Sequence, residues 1–289
     1  MRIVAKLKTV EEIEKLIDLG VDVLSVDTPL AVRGINKEIY DELDKIVKYN
    51  KPVYLFLNKM IHEDDIDLVR SILQDAKEKG VSGIVVGDIT VMIIAREYEM
   101  QDRVIYQPGT MNTNSFDSDY FFMNSIKGIT ISKEITLEEI KKILENKKTE
   151  FSLVGHGFLD MFYSKRKLLS NYFVYKNIVH ENIVNNQGFR LKEEMRKESF
   201  YPILEDEFGT HIFRDKALES FSEIKELQDK LDDFFVERIF LDDEEYYESI
   251  KAYKNEEFIP EFLRKYKDKY NKGFFYQYTE KLKGDLNES

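Results

Sequence analysis

Residues 154–170 read VGHGFLDMFYSKRKLLS. The apolar residues just before, Phe151 and Leu153, make the end of a strand. Gly155 and Gly157 then flank a single histidine, His156, and let the backbone turn sharply or approach a ligand closely. From there the reading is a helix carrying an aromatic pair and the basic triplet Lys165-Arg166-Lys167, continuing to about residue 176. Strand, polar end and helix make one βα unit, and the same unit recurs along the chain before it.

Apolar runs at residues 3–7, 21–26, 52–57, 81–86, 103–106, 127–132 and 150–154 each stop at polar residues and are followed by a helical pattern. Thr9 with Glu12, and Thr136 with Glu139, have the spacing of capping boxes, and Gly80 reads as a C-cap. A helix is expected over 36–49. Seven such units, closed by an eighth strand at 235–241 and a helix at 246–253, predict an α/β fold, a (β/α)8 TIM-like barrel, in preference to an open doubly wound sheet. Residues 178–213 break the rhythm. Within them, 201–206 and 210–213 flank Glu207-Phe208-Gly209, which predicts a hairpin. No Pro/Ser-rich linker is present, so the chain reads as a single domain over 1–289 with a β-hairpin-containing insertion between units seven and eight.

The 289 residues include no cysteine, which excludes disulfides, thiolate nucleophiles, zinc–thiolate sites and cysteine-held iron–sulfur clusters from this chain. A net charge of −12 disfavours indiscriminate binding to nucleic acid but leaves room for a local basic patch. No uninterrupted apolar run approaches 18 residues and the first residues lack a signal-like apolar core, so a cytoplasmic protein with no membrane span is expected.

In a barrel, functional groups gather just past the strand C-termini. Here those positions are Asp27, Asn58, Asp88, Gln107, Glu134, His156 and Asp242. Polar strand ends also occur simply because they meet water. Glu134 and His156, from adjacent strands, are the candidate catalytic acid–base pair. Asn58, Asp88, Gln107, Tyr163 and Arg166 are candidate substrate-binding residues, and no metal site is predicted. Lys165, Arg166 and Lys167, with Arg190, Lys192, Arg196 and Lys197 in the insertion, form a candidate nucleic-acid patch, with Tyr163, Tyr172 and Phe173 available for stacking. Solvated helix charges and core aromatics would give the same pattern. His62, His180 and His211 read as surface or hairpin residues. No P-loop, HExxH or GxSxG motif is present, and Gly155-x-Gly157 lacks the third glycine of a dinucleotide fingerprint.

With these residues in view, the chain resembles peptidase family U32, the collagenase-like proteases. The resemblance rests on Gly20 and Asp22, the strand ending at Asn58, Ser132-Lys133-Glu134-Ile135, the run from His156 to Ser170, Tyr201-Pro202 with Glu205 to Thr210, and Lys272-Gly273-Phe274-Phe275. Asp160 and Lys167 stand where the family motif has cysteines, and Leu191 and Met195 lie near the places of a second pair. In iron–sulfur members those four hold a cluster, so the resemblance implies a cysteine-free short paralogue with no cluster of its own. It implies a part in 5-hydroxylation of the tRNA wobble uridine, beside a cluster-bearing paralogue and with tRNA as a partner. A collagenase-like peptidase is the alternative, and a non-catalytic scaffold the third.

Overall fold

The computed structural model describes residues 1–277. Seven strands pair in sequence order, each parallel to the next: β1 (Arg2–Lys6), β2 (Val23–Asp27), β3 (Val53–Leu57), β4 (Gly83–Val86), β5 (Val104–Tyr106), β6 (Gly128–Thr130) and β7 (Glu150–His156). The chain then leaves the barrel. β8 (Asp160–Ser164), β9 (Arg190–Lys192), β10 (Phe200–Asp206) and β11 (Gly209–Phe213) build a separate sheet in the order β8-β11-β10-β9, antiparallel throughout. After β12 (Ala217–Leu218), β13 (Asp233–Val236) inserts between β7 and β1 and closes the barrel. β14 (Tyr270–Asn271) pairs with β12. The (β/α)8 reading is met, with the hairpin between units seven and eight.

The helices are α1 (Ile13–Asp18), α2 (Leu43–Ile46), α3 (Ile66–Glu78), α4 (Ile89–Glu97), α5 (Ser115–Met123), α6 (Leu137–Glu145), α7 (Leu168–Tyr175), α8 (Glu223–Leu227), α9 (Asp243–Lys254) and α10 (Ile259–Lys265). α3 buries Val69, Ile72, Leu73 and Ala76, the i, i+3, i+4, i+7 stripe that packs a helix onto a sheet. α6 does the same with Leu137, Ile140, Ile143 and Leu144. Thr136 starts α6 with a capping box: its N–H donates to Glu139 at 2.7 Å, and Glu139 N–H donates to its hydroxyl at 3.3 Å. Inside the barrel, Val4, Val23, Tyr54, Phe56, Val85, Ile105 and Phe235 form their own apolar layer.

Three expectations need correction. Residues after Gly157 do not enter a helix directly. Asp160–Ser164 is a strand, because its backbone pairs with the distant hairpin strand β11 (Tyr163 opposite His211), and the helix begins only at Leu168. The excursion therefore takes in β8 and starts earlier than residue 178. The helix expected over 36–49 is a short α-helical turn flanked by 3₁₀ segments. The eighth strand ends at Val236, not near 241.

Candidate functional site

At the C-terminal ends of the barrel strands a cavity of about 440 Å³ opens, roofed by the second sheet. Asn58 and Gln107 from the barrel line it, as do Asp160, Tyr163 and Phe213 from the roof. Its walls are mixed: Ile131, Val154, Phe158 and Ile239 beside Arg33, Lys133 and Glu237.

The charges have definite partners. Asp160 receives Lys133 on one carboxylate oxygen and Arg33 Nη1 on the other, the latter at 3.4 Å. Burial alone would raise the Asp160 pKa, but the two cations overcome it and hold the carboxyl well below its ordinary range. Asp206, at the end of β10, accepts the backbone N–H of Arg33 at 3.0 Å and faces His211 Nε2 at 3.1 Å, which assigns the imidazole proton to that nitrogen. His211 is fully buried and stacks on Tyr163 with ring centroids 4.7 Å apart. Its pKa is lowered, because burial outweighs the raising effect of Asp206. Lower in the barrel, Lys6 Nζ pairs with buried Asp27 at 2.8 Å above the Phe56 ring.

Of the candidate residues, Asn58, Asp88, Gln107 and Tyr163 share this cavity. Asp88 is committed to structure: its two oxygens accept Thr90 N–H at 2.8 Å and Ile61 N–H at 3.0 Å, capping α4. Asp242 likewise caps α9 through Glu245 N–H. The expected pair of Glu134 and His156 is not brought together at the cavity. Glu134 is half-buried, does not line it, and its charge acts on Arg214. His156 is fully buried behind the barrel wall. There Nε2 lies 3.3 Å from the Tyr270 hydroxyl and Nδ1 lies 3.2 Å from that of Tyr253. Tyr270 donates its own proton to Glu245 at 2.8 Å, so its oxygen accepts from Nε2–H, which leaves Nδ1 the unprotonated nitrogen beside the Tyr253 hydroxyl. Desolvation, with Lys269 adding to it, pushes the His156 pKa down to about 3. His156 is a neutral clasp between β7 and the residues of α9 and β14.

The cause of that displacement is a bulge. Phe235 pairs with Val154, and the next residue, Val236, pairs with His156, so Gly155 is left over. Val154 faces the cavity, and the extra residue turns His156 to the opposite side. A side chain at position 155 would collide with the Phe234 ring, a Cβ lying 1.9 Å from it.

Lys165, Arg166 and Lys167 lie exposed in the bend between β8 and α7. Arg166 does not line the cavity, but the bend starts two residues past Tyr163, which does. Arg190, Lys192, Arg196 and Lys197 are exposed, as is Tyr172, while Phe173 is half-buried. His62 and His180 are exposed as expected; His211 is in the hairpin but buried. Arg33, Lys133 and Glu237 were not among the candidates. Lys133 lies in the turn after β6, past the end of the strand, where strand parity no longer tells it from its neighbour Glu134. Glu237 was masked by the overlong eighth strand.

The model of peptidase family U32 matches residues 30–287. The chain belongs to this family. It is 30% identical over 210 residues to "tRNA hydroxylation protein P2" of Bacillus subtilis (strain 168), covering 72% of this chain and 68% of that protein. An uncharacterized protease of Methanocaldococcus jannaschii is 26% identical over 267 residues, 82% of this chain and 63% of the relative. A solved structure of a U32 peptidase superposes with a TM-score of 0.51 at 16% identity, covering 82% of this chain and 92% of the other, a likeness of fold. U32 relatives thus carry names of two kinds, tRNA hydroxylation protein and protease.

The cluster found in some U32 members has no fitting donors here. Asp160 is locked between two cations, Lys167 is itself a cation, and the chain contains no cysteine. Among the described residues no group of three or more His, Cys, Asp or Glu residues is placed to hold a metal ion, and no helix is long and apolar enough to cross a membrane.

Proposed function

We propose that this chain is a component of tRNA wobble-uridine 5-hydroxylation, working beside a cluster-bearing U32 paralogue. The observation that carries the reading is the exposed triplet Lys165–Lys167, in the bend that starts two residues past cavity-lining Tyr163, on a chain whose net charge is −12. Cations held together on an acidic body are complementary to a phosphate backbone, and they stand beside a cavity of a size that admits a small group. Likeness to a protein named for tRNA hydroxylation supports the same reading. In this reading the cluster belongs to the paralogue, because this chain has no cysteine to hold one.

The test is tRNA binding by the purified protein, alone and with the paralogue, across a salt series. Binding should strengthen steeply as salt falls, and the combined Lys165→Ala, Arg166→Ala, Lys167→Ala variant should lose it. Absence of binding in both forms would refute the reading. The second reading, a peptidase, is favoured by the match to a relative named as a protease over 82% of this chain. It requires peptide cleavage by the purified chain.

A further inference from the structure

Around the cavity some polar groups are committed to protein partners and others are free. Asp88 spends both oxygens on backbone amides, and Asp160 is held between Lys133 and Arg33. Glu237 follows β13 directly and has the parity of Phe235, which faces the barrel interior. It lines the cavity; its carboxylate has no side-chain hydrogen bond or close ion pair among the described residues, and its charge is felt by buried Lys6, whose Nζ is paired with Asp27. Two carboxamides line the same space. Asn58 Oδ1 accepts Val32 N–H at 2.9 Å, which orients the amide and leaves its NH₂ unspent. Gln107 Nε2 donates to Thr130 Oγ1 at 3.3 Å, Thr130 donates to Ser152 Oγ at 2.7 Å, and Ser152 donates to the Ile129 carbonyl at 3.3 Å. That directional chain fixes the Gln107 amide and leaves it one N–H.

The free set is therefore a carboxylate acceptor with two amide donors, between apolar and aromatic walls that include Tyr106 and Phe158. The charges lining the cavity are Arg33 and Lys133 against Asp88, Asp160 and Glu237. A phosphate or carboxylate gains little there, because both lining cations already hold Asp160 and the Glu237 carboxylate repels a second anion. A neutral ring does better. Uracil presents one donor, its imide N–H, between two carbonyl acceptors, the complement of one acceptor past β13 and two donors past β3 and β5, the strands on either side of the one facing β13.

We propose that the cavity takes an extruded uracil ring, with Glu237 accepting the imide N–H and the Asn58 and Gln107 amides donating to the flanking carbonyls. Phosphates then stay outside on Lys165–Lys167 while the neutral base enters. A base in a single-stranded loop is extruded at least cost. Holding the imide edge leaves the C5–C6 edge of the ring open. Cytosine is refused, since its ring nitrogen is an acceptor and meets the Glu237 carboxylate lone pair to lone pair. This inference rests on the tRNA reading above.

The test uses anticodon stem–loop RNAs that differ only in uridine or cytidine at the wobble position, bound to the full chain at fixed salt. Wild type should prefer uridine by about tenfold or more, the effect of leaving one buried polar group opposed. Glu237→Gln, the same shape without the charge, can present either a donor or an acceptor, so it should bind both RNAs within about twofold of each other. Asn58→Asp keeps the acceptor for Val32 N–H and removes the free donors, and should weaken the uridine RNA by about tenfold. It serves as the second readout if Glu237→Gln unfolds. Equal binding of the two RNAs by wild type, or an undiminished preference in Glu237→Gln, overturns the uracil site. If salt-dependent binding persists without base preference, only this inference falls; if no RNA binds, the tRNA reading falls with it.

Discussion

His156 is fully buried, with only the Tyr253 and Tyr270 hydroxyls at its ring nitrogens and, among the described residues, no carboxylate to support a charged ring. Free histidine titrates near 6.5, whereas in the fold burial and Lys269 push it down to about 3. Below about pH 6.5 the unfolded chain takes up a proton that the folded chain refuses. The contribution is therefore full above that pH and is lost as pH falls toward the folded value, by about 1.4 kcal/mol per pH unit. His211, also lowered, acts in the same direction, so wild type should be compared with His156→Gln in urea unfolding from about pH 7 to about pH 4.5. The stability difference between the two proteins should shrink as pH falls, and parallel curves would contradict the assignment. Asp160 makes a second case. Asp160→Asn strands nearly buried Lys133 and half-buried Arg33 without their counter-charge and should cost about 3 kcal/mol. Adding Lys133→Met should recover part of that loss in the same urea assay.

The second sheet owes its attachment to a few carboxylates at the hairpin. The residue before α7, Lys167, sits at the N-cap position and offers no side-chain cap. Glu205, fully buried on β10, supplies one from across the sheet: it accepts Leu169 N–H at 2.9 Å and Ser170 N–H at 3.1 Å, and takes the Ser170 hydroxyl as well. Thr210 accepts Leu168 N–H at 2.9 Å. The motif from Glu205 to Thr210 is thus a helix cap built in trans. Glu205→Ala should cost about 1–3 kcal/mol locally, and the amides of Leu169 and Ser170 should exchange with deuterium faster while barrel amides stay protected. Unchanged exchange at α7 would show that the cap is idle. These elements also show what the sequence conveys. The barrel strands were legible because each is a local apolar run closed by a polar residue, and the hairpin because its turn is local. β8 was not, since Asp160 to Ser164 has no alternation of its own and becomes a strand only by pairing with β11, more than forty residues on. Of the four cavity residues that were named, Asn58, Asp88 and Gln107 follow from counting strand ends, and Tyr163 from the aromatic run after His156. His156 was misplaced because a single leftover residue, Gly155, reverses strand parity, and parity depends on a partner strand eighty residues away.

Across the whole molecule, charge is divided by place. The body is acidic, the bend at Lys165–Lys167 is basic, and the cavity pairs its own cations internally. Phosphate contact and base contact should therefore separate in one experiment. Removing the triplet should lower the slope of log binding constant against log salt by about two to three, while exchanging uridine for cytidine should leave that slope unchanged. A slope that does not move with the triplet would place the phosphate contacts elsewhere. The route of the chain has another consequence. β13 sits between β7 and β1, yet the ribosome finishes His156 long before it reaches Val236. At about 5–20 residues per second, the nascent chain carries an open seven-stranded sheet with two unsatisfied edges for on the order of ten seconds. Those edges, β1 and β7, are rich in Ile, Val, Phe and Leu, and are the surfaces most apt to pair with a neighbouring nascent chain. Yield during synthesis is then governed by how soon the last stave arrives.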